Sequence, residues 1–295
     1  MKSLCVEGWR DINHSFSLLN QWQLLQFLEE DFNLYHRDMP FLKGSWNRKT
    51  NGSGLSKKQK DQISSIASPS EEQIFDVIYR INFPFNLAEG NANKIYVFGA
   101  PSFGHCKGKI VGASPKEACE RGNLEIITCS KWSKMAFLNS GFSEEKIKVI
   151  PLGVQPSSYY PIESNRRKEF RQKLGFNEDD FILLNVGALT PNKGIDLILN
   201  AYCDLKSSFP RIKLIIKDSS NLYDRTLTDI VKKIIGKKKN NIDYNLLSDV
   251  INISQNLDIN GMKSLYNISD AYISPYLAEG FNLPPLESAA CGVPI

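Results

Sequence analysis

Residues 181–199, FILLNVGALTPNKGIDLIL, decide the fold. The run FILLNVGAL is apolar almost without a break, the pattern of a parallel strand covered on both faces rather than one with a wet side. A Gly-containing turn follows, and Lys193 arrives where the next helix begins. In that helix Ile195, Ile198, Leu199, Tyr202 and Leu205 recur at helical spacing. IKLIIK, residues 212–217, is the next strand. Strand, helix and strand in this order make a βαβ unit.

The same alternation extends in both directions. Downstream come VINIS (250–254), a helical stretch around Met262, Leu265 and Tyr266, AYISP (271–275), and a loop into PPLESAAC (284–291). Upstream, KSLCVEG (2–8) reads as a buried strand. The stretch 15–30 places Leu18, Trp22, Leu25 and Leu28 on one helical face. FNLYH, IFDVIYR, IYVFGA, EIITCS and IKVIP read as further strands. Lys43 to Ser65, rich in Gly, Ser, Asn and Lys, reads as an exposed insertion. Residues 151–161, PLGVQPSSYYP, hold three prolines and no apolar period, which suits a linker. We place the boundary there, with one Rossmann-like domain over 1–155 and a second over 156–295.

Bulk composition narrows the function classes. The 295 residues are 42% hydrophobic and 23% charged, with net charge +4, as in ordinary globular proteins. The six cysteines lack the C-x-x-C pairing of zinc or redox sites and read as reduced core residues. No run is apolar and long enough to span a bilayer, and charge interrupts the N-terminus before a signal-peptide core forms. A cytoplasmic protein is expected, with at most peripheral contact to anionic lipid. The basic run Lys237 to Lys239 leads into two asparagines and reads as a solvated loop. No nucleic-acid partner is expected, because no basic stripe with interleaved aromatics is present.

Two places carry candidate chemistry, since ligands in open α/β sheets bind outside the carboxyl ends of strands, where helix N-termini favour anions. The first is Asn185 to Gly194, in which amides near Gly187 and the Lys193 ammonium would meet a phosphate together; a solvated helix start explains the same residues equally well. The second is the loop Glu279, Gly280, Phe281, Asn282, Leu283 leading into a helix near Pro285, with Glu287 expected in its first turn. There Glu287 would accept hydrogen bonds from a ribose diol, and the amides of Gly280 to Leu283 would face a sugar or diphosphate. Taken singly, Glu287 is better read as a complement to the helix dipole and Glu279 as a loop charge. His14, after the first strand, is an acceptor-side candidate that a helix-capping role explains nearly as well. His105, between glycines, could line the cleft on the same side, although a structural role explains a lone histidine better.

NVGALTPNKGIDLIL followed by SPYLAEGFNLPPLESAACGVPI, with its glutamates separated by seven residues, resembles the donor-binding domain of glycosyltransferase family 4. TCSKWSKMAFLNSGFSEEKIKVIPLGV resembles that family's approach to the interdomain linker, so the likeness runs from about Glu125 to the end. It implies a GT-B fold, two Rossmann-like domains facing a cleft, and a retaining enzyme that uses a nucleotide-diphosphate sugar without a metal or other cofactor. It also implies that Lys193 holds the diphosphate, Glu279 lies at the transferred sugar and Glu287 holds the ribose. The acceptor stays open among glycan, lipid-linked and protein classes. Ala188 stands where the family commonly has arginine, which leaves Lys193 or Lys217 to supply more of the charge. The sequence stops at Ile295 as a further strand begins, so a fragment with an incomplete donor domain is expected. A non-catalytic sugar-nucleotide or glycan-binding protein on the same fold is the alternative, and a phosphorylase is the rival among enzymes.

Overall fold

The structure, a computed structural model, describes residues 1–48, 54–236 and 244–295. The expected basic loop at 237–241 and part of the expected insertion lie outside the described residues. Backbone contacts divide the chain into two units. One is Met1–Leu152 with Glu279–Phe281, and the other is Gly153–Ala278 with Asn282–Ile295.

The first unit is built on β1 (Lys2–Gly8), β2 (Phe32–Asp38), β3 (Phe75–Ile81), β4 (Ala92–Phe98), β5 (Leu124–Thr128) and β6 (Ile147–Val149). They pair in parallel in the order β2-β1-β3-β4-β5-β6. One face carries a core of Cys5, Phe75, Ile95, Val97, Ile126 and Phe137. Helices α1 (Ser15–Phe27), α2 (Lys57–Ser64), α3 (Pro115–Glu120) and α4 (Lys131–Leu138) connect the strands.

Helix α1 departs from the apolar face expected of it. Its buried residues are Ser17, Asn20, Gln21 and Leu24, whereas Leu18, Trp22 and Leu25 are only partly covered and Leu28 is exposed. The reason lies in the loop after β1, whose main-chain groups need partners once water is excluded. Asn20 Nδ2 donates to Trp9 O at 2.9 Å, and the Asp11 N–H donates to Gln21 Oε1 at 3.0 Å. The expected insertion also differs. Ser56 caps α2 in a reciprocal pair with Gln59, and Trp46, Leu55 and Ile63 are buried. Arg10 holds this segment down by donating to Ile63 O at 2.7 Å and, through its other nitrogens, to the Asp38 carboxylate.

The second unit contains α5 (Ser164–Lys173), β7 (Phe181–Val186), α6 (Ile195–Ser208), β8 (Ile212–Lys217), α7 (Leu227–Gly236), β9 (Ile251–Ile253), α8 (Ile259–Ile268), β10 (Ala271–Tyr272) and α9 (Leu283–Ala290). Its sheet is parallel, in the order β9-β8-β7-β10. Side chains alternate across it. Leu183, Leu214 and Ile216 meet Ile195, Ile198, Leu199 and Tyr202 of α6 on one face. Ile182, Leu184, Ile215 and Tyr272 meet Leu265, Tyr266 and Ile268 of α8 on the other. Burial of both faces accounts for the uninterrupted apolar reading of 181–186, and each fully buried side chain of this size stabilises by about 1.5–3 kcal/mol.

Asp270, just before β10, ties this unit together. It accepts from Arg167 at 2.7 Å, from Arg171 at 3.0 Å and from the Ile182 N–H at 2.7 Å. Removing one partner of such a largely buried cluster leaves its cations uncompensated, so Asp270→Ala is expected to cost about 3 kcal/mol in denaturant unfolding. A loss below about 1 kcal/mol would mean that the cluster is solvated. In the first unit, burial lowers the pKa of His36 to about 3 and that of His14 to about 4, with the Arg10 charge adding to the effect on His36. In the unfolded chain both titrate near 6.5. The unfolded state therefore binds more protons below that pH, and stability falls as pH drops from about 6.5, by at most about 1.4 kcal/mol per pH unit per histidine. His14→Asn keeps a capping side chain and should remove about one proton from the slope measured between about pH 6.5 and 5. An unchanged slope would contradict the assignment of His14 as a neutral cap in the folded chain.

Candidate functional site

In the second unit the strand order reverses at β7. The chain moves outward from β7 through β8 to β9 and then returns to place β10 on the other side. Such a switch leaves room for a ligand at the carboxyl ends of the two flanking strands. The loops that leave β7 and β10 are the two segments singled out in the sequence. Leu277 N–H donates to Asn192 O at 2.8 Å, and Asn192 Nδ2 donates to Ala278 O at 3.0 Å. Gly194 is left-handed, with φ 62°, and a Cβ there would come within 2.6 Å of Pro275 O. Gly187 abuts the Tyr276 hydroxyl closely enough that a side chain would collide with it.

Lys193 ends a single 3₁₀ turn, Pro191–Lys193, and Gly194 then opens α6. Its ammonium lies 4.0 Å from the centre of the Tyr276 ring, an aromatic partner that positions the cation. Tyr276 is itself fixed by donating to Val186 O at 2.6 Å.

Helix α9 begins at Leu283, not near Pro285, with the left-handed Asn282 (φ 73°) at its N-cap. Two prolines fit its first turn because they bring no N–H that would need an acceptor. Glu287 consequently lies in the second turn rather than the first. It accepts a hydrogen bond from the Tyr266 hydroxyl at 2.5 Å. Burial pushes its pKa up, while Tyr266 and Tyr159 pull in the opposite direction by donating to it. Among the described residues, the main-chain N–H groups of Phe281, Asn282 and Leu283 make no hydrogen bond within the protein. Asn282 Nδ2 donates to Ser274 Oγ at 2.8 Å, which steadies the turn.

Glu279, Gly280 and Phe281 group with the first unit. The Gly280 carbonyl accepts from Ser130 Oγ at 2.6 Å and from Ser133 Oγ at 3.2 Å, and its N–H donates to Glu279 Oε1 at 3.2 Å. A Cβ on Gly280 would lie 2.5 Å from Ala100 O. Ser102 Oγ is 3.4 Å from Glu279 Oε1. His14 caps α1 by accepting from the Phe16 N–H at 3.1 Å, and its ring lies 5.1 Å from Trp9 and 5.3 Å from Trp46. His105 is exposed and accepts from the Lys107 N–H at 3.2 Å in a local turn. The structure therefore gathers Gly187, Lys193, Asn282, Leu283 and Glu287 in the second unit, whereas Glu279, Gly280, Phe281, His14 and His105 are described in the first.

Tyr276 beside Lys193, and Tyr266 and Tyr159 around Glu287, carried no spacing signal apart from the helical placement of Tyr266. Among the described residues no group of three or more His, Cys, Asp or Glu is arranged to hold a metal, and no helix is long and apolar enough to cross a membrane.

Comparison with known proteins finds one family match and several similar chains. Residues 166–295 match the family Glycosyl transferases group 1. The mannosylfructose-phosphate synthase of Agrobacterium fabrum is 24% identical over 154 residues, 52% of this chain and 33% of that protein. The D-inositol 3-phosphate glycosyltransferase of Acidothermus cellulolyticus is 26% identical over 159 residues, again 52% of this chain and 33% of that protein. The chain thus spans about a third of the length of these curated relatives. The crystal structure of Anabaena HepE in complex with UDP-glucose superposes with a TM-score of 0.66 at 16% identity, covering 100% of this chain and 79% of that one. The chain has the α/β fold of the GT-B glycosyltransferases, and its residues 166–295 carry the sequence match to glycosyl transferases group 1.

Proposed function

We propose that this protein is a retaining glycosyltransferase of family 4 that takes its sugar from a nucleoside-diphosphate donor. The observation that carries this reading is the meeting of the β7 and β10 loops at a topological switch point. There Lys193 lies against Tyr276, and within the same unit the Asn282 and Leu283 amides that open α9 make no hydrogen bond within the protein. The principal chemical problem in such a transfer is the charge that develops on the departing diphosphate. Fixed donors offset that charge without reorganising during the reaction. Lys193 supplies the ammonium, and the N–H groups of Phe281, Asn282 and Leu283 supply the dipoles. Glu287 retains lone pairs beyond those that its tyrosines use and accepts from the ribose diol. Glu279 is the carboxylate at the transferred sugar. No metal enters this scheme. The group 1 match, the glycosyltransferase relatives and the UDP-glucose bound to HepE support a nucleotide-sugar partner. The acceptor class stays open.

Lys193→Ala is expected to weaken a nucleoside diphosphate by about 10- to 150-fold, the equivalent of a charged hydrogen bond of about 1.5–3 kcal/mol. The bare nucleoside should be nearly unaffected, and calorimetry on both ligands measures the contrast. Glu279→Gln should lower turnover with little change in donor affinity, whereas Glu287→Gln should act mainly on affinity. Equal losses for nucleoside and nucleoside diphosphate in Lys193→Ala would remove the lysine from the diphosphate site.

A further inference from the structure

Lys217 is the last residue of β8 and only 3% exposed. Its neighbours do not explain its burial. Among the described residues its ammonium makes one hydrogen bond, to the carbonyl oxygen of Asp218 at 2.6 Å. No described carboxylate forms an ion pair with it, although the Asp218 charge is near enough to act on it through space. An ammonium has three protons to donate, and holding one out of water without an ion-pair partner is unfavourable. Burial accordingly lowers its pKa.

Its position gives that cost a use. The Gly187 N–H donates to Lys217 O at 3.0 Å, so β8 ends beside the first residue of the loop that carries Lys193. Side chains alternate along a strand, so Lys217 is on the same face as Ile215, the face that packs Tyr266, Tyr272 and Cys291. A diphosphate leaves with more negative charge than one ammonium neutralises, and Ala188 brings no charge to the neighbouring loop.

We propose that Lys217 is a second cation of the nucleotide site, kept buried at the carboxyl end of β8 so that its ammonium contacts the diphosphate of a bound donor. This rests on the donor-binding reading above. Its local requirement is an anion that completes the lysine's hydrogen bonds, and a diphosphate oxygen does so.

The test is calorimetry on the full chain with UDP, GDP and ADP, and with the corresponding nucleosides, comparing wild type with Lys217→Met, Lys217→Gln and Lys193→Ala. For the nucleotide that the wild type binds, Lys217→Met should lose about tenfold or more in affinity while the nucleoside changes by less than about twofold. Without ligand it should melt no lower than wild type, because methionine fills the space without a desolvated charge. If Lys217→Met does not fold, Lys217→Gln carries the same comparison. Diphosphate affinity retained in the Lys217 variants but lost in Lys193→Ala overturns this inference and leaves the donor site standing. A wild type that binds none of the three nucleotides overturns the donor site, and the role of Lys217 with it.

Discussion

The arrangement of the candidate site depends on a short bridge between two loops that are far apart in sequence. Asn192 accepts from the Leu277 N–H through its carbonyl and donates to Ala278 O through its side chain. That bridge holds the turn carrying Lys193 against the segment that leads into α9. Gly194 makes the approach possible, since a side chain there would clash with Pro275 O and its left-handed backbone suits glycine. The bridge in turn requires parallel strands β7 and β10 to lie side by side, which the apolar burial of both sheet faces secures. Packing therefore sets the distance between the two motifs, and hydrogen bonds set their register.

Charge distribution in the second unit follows the same logic. Asp270 collects two arginines and the Ile182 N–H at the amino-terminal side of the sheet. At the carboxyl side the cations are held differently. Lys193 lies against an aromatic ring, and Lys217 is buried against a main-chain carbonyl. The two ends thus hold their cations by different means, a shared carboxylate at one and an aromatic ring or a main-chain carbonyl at the other.

Much of the architecture was legible in the sequence because buried parallel strands and amphipathic helices leave strong patterns. The runs FILLNV and IKLIIK and the spacing of Ile195, Ile198, Leu199 and Tyr202 became β7, β8 and α6. Helix α1 shows where the pattern fails. Its inner face is polar because Ser17, Asn20 and Gln21 serve the loop after β1, and periodicity counts only apolar residues. The 43–65 stretch failed for a related reason, since its polar composition concealed the buried Trp46, Leu55 and Ile63 beside a capped helix. At the site, Lys193 and the glutamate pair were visible from motif spacing. The start of α9 was displaced because Asn282 adopts a left-handed conformation, and that moved Glu287 into the second turn. The tyrosines that orient Lys193 and Glu287 come from the loop after β10, from α8 and from the segment before α5, a convergence that only the folded chain creates.

The central claim is that the loops leaving β7 and β10 form one nucleotide-binding surface. Hydrogen–deuterium exchange of the backbone amides, followed during titration with UDP, GDP and ADP, tests it most directly. The account predicts that one of these ligands slows exchange at residues 187–194 and 276–287 together, at the same ligand concentration, with little change along the strands of the first unit. Protection confined to one of the two segments, or centred elsewhere, would contradict it.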